Sequence, residues 1–460
     1  MTQAVAIELE AGFKGEVVWP GDAGYDPARQ VFNAMIDKRP SMIVRPTGPA
    51  DIIDAVNLAR EKGMLLAIRC GGHSIAGNSV CDGGMLIDLS SLKGVRVDAA
   101  NRTARANAGV LWGEFDRETQ MFGLATPGGR VTTTGVGGFT LGGGYGWLSP
   151  KYGLTCDNLI SADVVTADGR LVTASERENE DLFWALRGGG GNFGVVTSFE
   201  FRLHPVGPMV AAGMLIYRPE DAKAVLRGYR DYVESAPEEL VTAVALVTAP
   251  PEPFVPEDMR GKAALGVVPF YIGDVAEGER AIAPLKKLGP LAVDLVQPMP
   301  YTAFQAMLDP FAPLGWQSYN RGLHLKGLPD GAIDAYVSVG SEALSPLNQA
   351  IIFRHGGEVS RIPDDANAAS HRDAVYMAHP IAMWMDPADM DRELDWVRRF
   401  SDAFGPYTTG GVYLNFEPNA GEDRVRAGFG PAKFERLQQV KAKWDPGNLF
   451  RVNQNITPKA

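Results

Sequence analysis

Residues 69–80 read Arg-Cys-Gly-Gly-His-Ser-Ile-Ala-Gly-Asn-Ser-Val, directly after the apolar run Met64-Leu-Leu-Ala-Ile68. The pattern predicts a strand that empties into a glycine loop carrying one histidine. Gly71, Gly72 and Gly77 lack a Cβ and tolerate positive φ, so such a loop turns successive backbone N–H groups toward a phosphate or a ring edge. Taken alone, these residues fit a surface turn with an incidental histidine equally well.

Two further tracts favour the first reading. One is Gly135-Val-Gly-Gly-Phe-Thr-Leu-Gly-Gly-Gly-Tyr145-Gly-Trp-Leu148, followed by Lys151-Tyr-Gly-Leu-Thr-Cys156-Asp-Asn-Leu159; the other is Leu186-Arg-Gly-Gly-Gly-Gly-Asn-Phe-Gly194. The last contains Gly189-x-Gly191-x-x-Gly194, the spacing of a dinucleotide fingerprint. Its context excludes a Rossmann loop, which needs a strand before the glycines and a helix after. Here the helical stretch Glu180–Arg187 comes first and the strand Val195–Leu203 second.

The chain has 460 residues, 45% hydrophobic and 22% charged, enough for two domains with large cores. A net charge of −11 without any Lys/Arg block argues against nucleic acid or an anionic membrane as partner. No apolar run reaches the roughly 18 residues of a membrane span. Met1-Thr-Gln-Ala-Val-Ala-Ile-Glu-Leu-Glu10 lacks the basic start of a secretory signal, and three cysteines make no disulfide framework. A cytoplasmic protein, monomer or homodimer, is the expectation.

Local signals outline the rest. Asp51–Gly63 is predicted as a helix with Ile52, Ile53, Val56 and Ala59 on one face, capped by Asp51. Met85–Leu89, Gly94–Asp98 and Thr103–Ala108 are predicted strands, Val110–Phe122 an amphipathic helix, and Ile160–Ala174 a hairpin with Asp168-Gly169 at its tip. Beyond Pro205-Val-Gly-Pro208 the tracts stop. Helices at 219–234, 276–288 and 391–404 then alternate with strands at 263–271, 335–339 and 350–355, an antiparallel sheet backed by helices. Alternation on the 350–355 strand places Gln349, Ile351, Phe353 and His355 on one side. A final helix from Pro431 halts at Asp445-Pro446-Gly447.

His73 by itself is open to metal ligation, general-base work or covalent chemistry. No HExxH, Cys-x-x-Cys or histidine cluster supports a metal. Cys156 by itself reads as a buried thiol, as do Cys70 and Cys81.

The three tracts, with Tyr413-Leu-Asn-Phe416 and Lys443-Trp-Asp-Pro-Gly-Asn-Leu-Phe-Arg-Val-Asn-Gln-Asn-Ile456, resemble the berberine-bridge-enzyme-like oxidases of the vanillyl-alcohol oxidase superfamily. The resemblance implies an α+β chain: a PCMH-type, two-subdomain FAD-binding domain over residues 1–206, a substrate-binding domain over 207–410, and a segment 411–460 returning to the first. It implies FAD bonded to both His73 and Cys156, the histidine attacking the ring's 8α-methyl in its neutral form. The cofactor would lie among Arg69, Gly71, Gly72, Ser74, Gly77, Asn78, Thr134, Gly135, Gly138, Gly142, Gly143, Gly153, Asn158, Gly194, Val195 and Asn453.

The same resemblance implies a small-molecule substrate, dioxygen as acceptor, and Tyr413 as the base beside the flavin, with Asn415 two residues along the same face and Tyr145 in the same pocket. A phenol of pKa about 10 is a poor base without a nearby cation or the flavin to help it. Ile351 stands where relatives carry a carboxylate or polar residue, which speaks against a glutamate base. His371-Arg372 fits a structural segment. Thr134 is small enough to admit dioxygen yet polar, so oxidase and oxygenase outcomes both follow. Trp316, Tyr319 and Trp384 are the expected substrate-selecting side chains.

Overall fold

The computed structural model describes residues 12–342, 345–418 and 421–459. Met1–Glu10, read above for a targeting signal, lies outside them.

The glycine-rich half is built on two sheets. In the first, Met42–Arg45 and Leu66–Arg69 both run parallel to Met85–Asp88, with Glu16–Val18 antiparallel on the outer edge. Parallel strands need a crossover, and the helix Pro49–Glu61 supplies the one from Met42–Arg45 to Leu66–Arg69, the two strands that flank Met85–Asp88. Its buried Ile52, Ala55, Val56 and Ala59 recur at helical spacing. The helix begins at Pro49 after Gly48, so Asp51 is not its cap. The Asp51 carboxylate accepts from the backbone N–H of Lys14 and Thr47, pinning the entering chain instead.

The second sheet is antiparallel, in the order Val95–Asp98, Thr103–Asn107, Val195–Arg202, Leu159–Val165, Leu171–Ser175. The predicted hairpin is its last pair, turning at Gly169 with φ +80°. One core joins both sheets and takes in Phe434, Leu437, Val440 and Trp444 of the late helix Pro431–Trp444.

Leu124–Ala125 pairs with His204–Pro205, and the remaining strands form one eleven-stranded sheet. Its strands pair antiparallel throughout, with Leu240–Thr248, Gln349–Arg354 and Tyr376–Trp384 at its centre. Alternation divides its residues cleanly. Val244, Leu246, Ala350, Ile352, Ala378 and Trp384 face a core with the helices Ala222–Val233, Asp330–Gly340 and Met390–Phe404. Val241, Ala243, Ala245, Ile351 and Phe353 face Tyr145, Trp147, Leu154 and Cys156 of the other half.

Two sequence expectations fail here. Residues 335–339 are helical, within Asp330–Gly340. Ala332, Ile333, Tyr336 and Gly340 bury one helical stripe, and Tyr336 Oη donates to Ala350 O at 2.7 Å, tying that stripe to the sheet. The strand Thr408–Val412 ends before Tyr413, and Leu414–Phe416 is a 3-10 turn. Strand alternation therefore does not govern Tyr413 and Asn415; the turn brings them together.

Candidate functional site

A cavity of about 380 Å³ opens where the two halves meet, within the size range of small-ligand sites. One wall is backbone. Gly71 and Gly135 lie against each other so closely that a Cβ on either would fall 2.4 Å from the other's nitrogen. Gly138 and Gly191 line the same cavity with open space where a side chain would begin. The opposite wall is side chains of the large sheet: Gln349, Ile351, Phe353, His379, Ile381 and Met383.

His73 stands at the backbone wall. Its ring stacks on Phe32 with centroids 4.2 Å apart, and Nε2 lies 2.9 Å from Thr133 Oγ1. Burial pushes its pKa down to about 4, so the imidazole is neutral at pH 7, the form that serves as a nucleophile. Gly71, Gly72, Ser74, Asn78, Thr134, Gly135, Gly138, Gly142, Gly194, Val195, Tyr145, Asn415 and Asn453 also line the cavity. Asn453 is held there by donating to Gly191 O at 3.1 Å and Phe450 O at 3.0 Å.

Other expected residues stand behind the wall. Arg69 gives its guanidinium to Asp88 and to the carbonyls of Ala28 and Gln30. Gly77 packs on Ile36 and accepts from Lys38 Nζ. Gly153, at φ +80°, ends the short helix Ser149–Tyr152. Asn158 bridges Tyr152 O, Leu154 O and His204. Cys156 is fully buried outside the cavity lining, its N–H donating to Gly143 O at 2.9 Å. Burial and the adjacent Asp157 push the thiol well up, so it is protonated. Arg372 closes on Asp157 at 2.7 and 3.0 Å, the structural role expected of that segment.

Tyr413 Oη accepts from the N–H of Tyr145 at 3.0 Å and from Asn415 Nδ2 at 3.1 Å. Burial raises its pKa, while these two donors and Arg130 pull it back. Tyr145 Oη donates to Arg354 O, and burial takes its pKa up to about 12. Of the expected substrate-selecting aromatics, none lines the cavity. Trp384 and Tyr319 pack on the helix side, and their neighbours Met383, Ser318 and Asn320 face inward, as a one-residue step on a strand requires.

Sequence reasoning missed Arg130 and His379. The guanidinium of Arg130 lies 3.6 Å from the Phe353 ring centroid and 4.6 Å from that of Tyr145. His379 stacks on Phe416 at 3.8 Å, with Nε2 unpartnered. The only signals were a lone arginine after Gly128-Gly129 and a lone histidine inside an apolar strand.

A backbone cradle left open at Gly138 and Gly191, a neutral histidine at its edge, and unpartnered buried Ser79 Oγ and Asn453 Oδ1 fit a flat ring with a polar tail, as FAD has. Among the described residues no cluster could hold a metal, and no helix is long and apolar enough to cross a membrane.

Comparison with known proteins bears on the same residues. The chain matches the family described as FAD binding domain over residues 40–175, and berberine and berberine like over residues 412–457. An FAD-linked oxidoreductase of Dictyostelium discoideum is 33% identical over 438 residues, 93% of this chain and 91% of that protein. The (R)-6-hydroxynicotine oxidase of Paenarthrobacter nicotinovorans is 30% identical across 100% of both chains. The crystal structure of 6-hydroxy-D-nicotine oxidase from Arthrobacter nicotinovorans superimposes with a TM-score of 0.88 at 28% identity, over 97% of this chain and 99% of that one. Fold, cavity and sequence agree: the chain belongs to the berberine-bridge-enzyme-like FAD-linked oxidoreductases.

Proposed function

We propose that this protein oxidises a small alcohol, sugar or amine with dioxygen as acceptor, holding FAD through His73 and Cys156. The observation that carries the reading is the cavity itself, with glycine backbone on one side, sheet side chains on the other, and His73 neutral at its edge. Bound there, FAD supplies the two-electron acceptor and passes the electrons to dioxygen, giving hydrogen peroxide.

The residues divide the remaining work. The glycine tracts hold the cofactor by backbone and exclude water from it. His73, uncharged, is the first attachment point. Cys156 is one backbone hydrogen bond behind Gly143, next to the cavity-lining Gly142, and is the second. Tyr413 takes the substrate's O–H or N–H proton as the hydride leaves the adjacent carbon. The two N–H donors on its oxygen favour the phenolate they would face.

The test is acid denaturation, reading by spectrum and intact mass whether FAD stays with the chain. Retention in wild type, His73→Ala and Cys156→Ala, with loss only in the double variant, is expected. Release from wild type overturns covalent attachment. Thr134 on the cavity wall favours a second reading, in which oxygen enters the product; label from isotopic dioxygen in the product would select it, and stoichiometric peroxide would exclude it.

A further inference from the structure

Five cationic side chains among the described residues are buried: Arg69, Arg130, Arg372, Lys433 and Lys441. Four have a carboxylate partner, in Asp88, Asp157, Asp364 and Asp445 respectively. Arg130 has none, although it is only 8% exposed and its Nε is without a partner. The nearby loop carboxylate, Asp309, is occupied by the backbone N–H and hydroxyl of Thr132. A buried charge costs several kcal/mol unless something of opposite sign meets it, and aromatic faces meet only part of that cost.

The position of the cation narrows what the missing partner is. Arg130 lines the cavity where the two halves meet, its guanidinium between Phe353 of the large sheet and Tyr145 and Trp147 of the second glycine tract. Asn320 Oδ1 and His379 Nε2, on the large-sheet wall of the same cavity, are buried and unpartnered. Ile351, Phe353, Ile381 and Met383 give the same wall its apolar part. We propose that Arg130 is the receptor for an oxyanion of the substrate, so that the enzyme acts on apolar, ring-sized molecules bearing a carboxylate, which the planar two-pronged guanidinium receives. This rests on the reading of the cavity as a substrate site.

The test is calorimetric titration of the flavin-loaded protein with benzoate and its neutral isostere benzamide, in wild type, Arg130→Met and Arg130→Lys. Wild type is expected to prefer benzoate by roughly 10- to 100-fold. The preference should vanish in R130M and return in part in R130K. Equal affinities in wild type overturn the proposal whatever the variants do, and so does an equal loss of both ligands in R130M. R130M that loses FAD while keeping the benzoate preference also overturns it, because Arg130 then serves the cofactor. If the purified protein carries no flavin, the oxidase reading falls, while the same titration still decides the role of Arg130.

Discussion

The two walls of the cavity are made of different material. The glycine wall touches its occupant with main chain, and its shape is set by close backbone contacts such as Gly71 on Gly135. The sheet wall touches with side chains, set by which face of each strand looks inward. Where backbone meets backbone, as at Gly71 and Gly135, no added atom fits, and the shape of this wall is held constant. A side-chain wall is redrawn one residue at a time without disturbing the fold. Relatives near 30% identity over the whole chain are consistent with a fixed cofactor and a changeable substrate.

Substitutions can break or sharpen this contrast. Gly135→Ala should have the largest effect, because its Cβ would meet Cys70 Sγ and Gly71 N at 2.4 Å. A cost of about 3 kcal/mol or more is expected, seen as loss of folded protein or a large drop in Tm; a normal Tm would mean that the backbone wall is softer than described. Tyr413→Phe comes next and belongs to the seam between the walls. Anaerobic flavin reduction should slow by roughly 100-fold or more, with flavin content unchanged and Tm slightly lowered by the loss of the acceptor for Tyr145 N–H and Asn415 Nδ2. Unaltered reduction would remove Tyr413 from the chemistry and leave the proton to another acceptor.

Asp116→Asn probes the seam through pH. Asp116 is buried on the helix Trp112–Gln120 and receives Gln305 Nε2 from the large-sheet half at 2.9 Å. Burial pushes its carboxyl up to about 7 from 3.8. The folded state therefore holds a proton that the unfolded chain releases near pH 4. That stability is full at acid pH and is lost as pH rises through about 7. Asparagine has no charge to bury, and its amide can donate to Gln305 Oε1, which has no partner. The variant should match wild type near pH 4 and exceed its Tm at pH 8 by about 2–4 °C. An identical pH profile would place Asp116 in contact with water. Gly138→Ala is the smallest in stability: it sits in the helix Val136–Leu141 with nothing near its Cβ position, so Tm should hold or rise slightly. FAD content should fall nonetheless, and a variant that loads FAD normally would show that the ring does not lie there.

What was legible in the sequence follows the same division. The hairpin at Asp168-Gly169 and the helix–glycine–strand order at residues 180–203 were readable because turn chemistry and period are local. So was the inward face of Gln349, Ile351 and Phe353. Residues 335–339 were not, since a short apolar run fits either period and only Tyr336 reaching Ala350 O decides it. Trp384 and Tyr319 were the conspicuous side chains, but strand register turned them away and brought Met383 and Asn320 in. Arg130 was hidden for a related reason. An unpaired charge is visible only once its surroundings are known.

The anchoring of the third glycine tract has a consequence for how the protein is made. Asn192 accepts from the N–H of Ile456 at 3.0 Å and donates to Gln454 O at 3.2 Å, while Lys441 donates to Asn192 O at 2.7 Å. A loop finished early in translation thus waits for residues synthesised some 250 positions later. Before Ile456 has been synthesised, every strand of the fold is already in the nascent chain, yet the third glycine tract lacks its anchor, so the cradle is expected to close only once that residue is available.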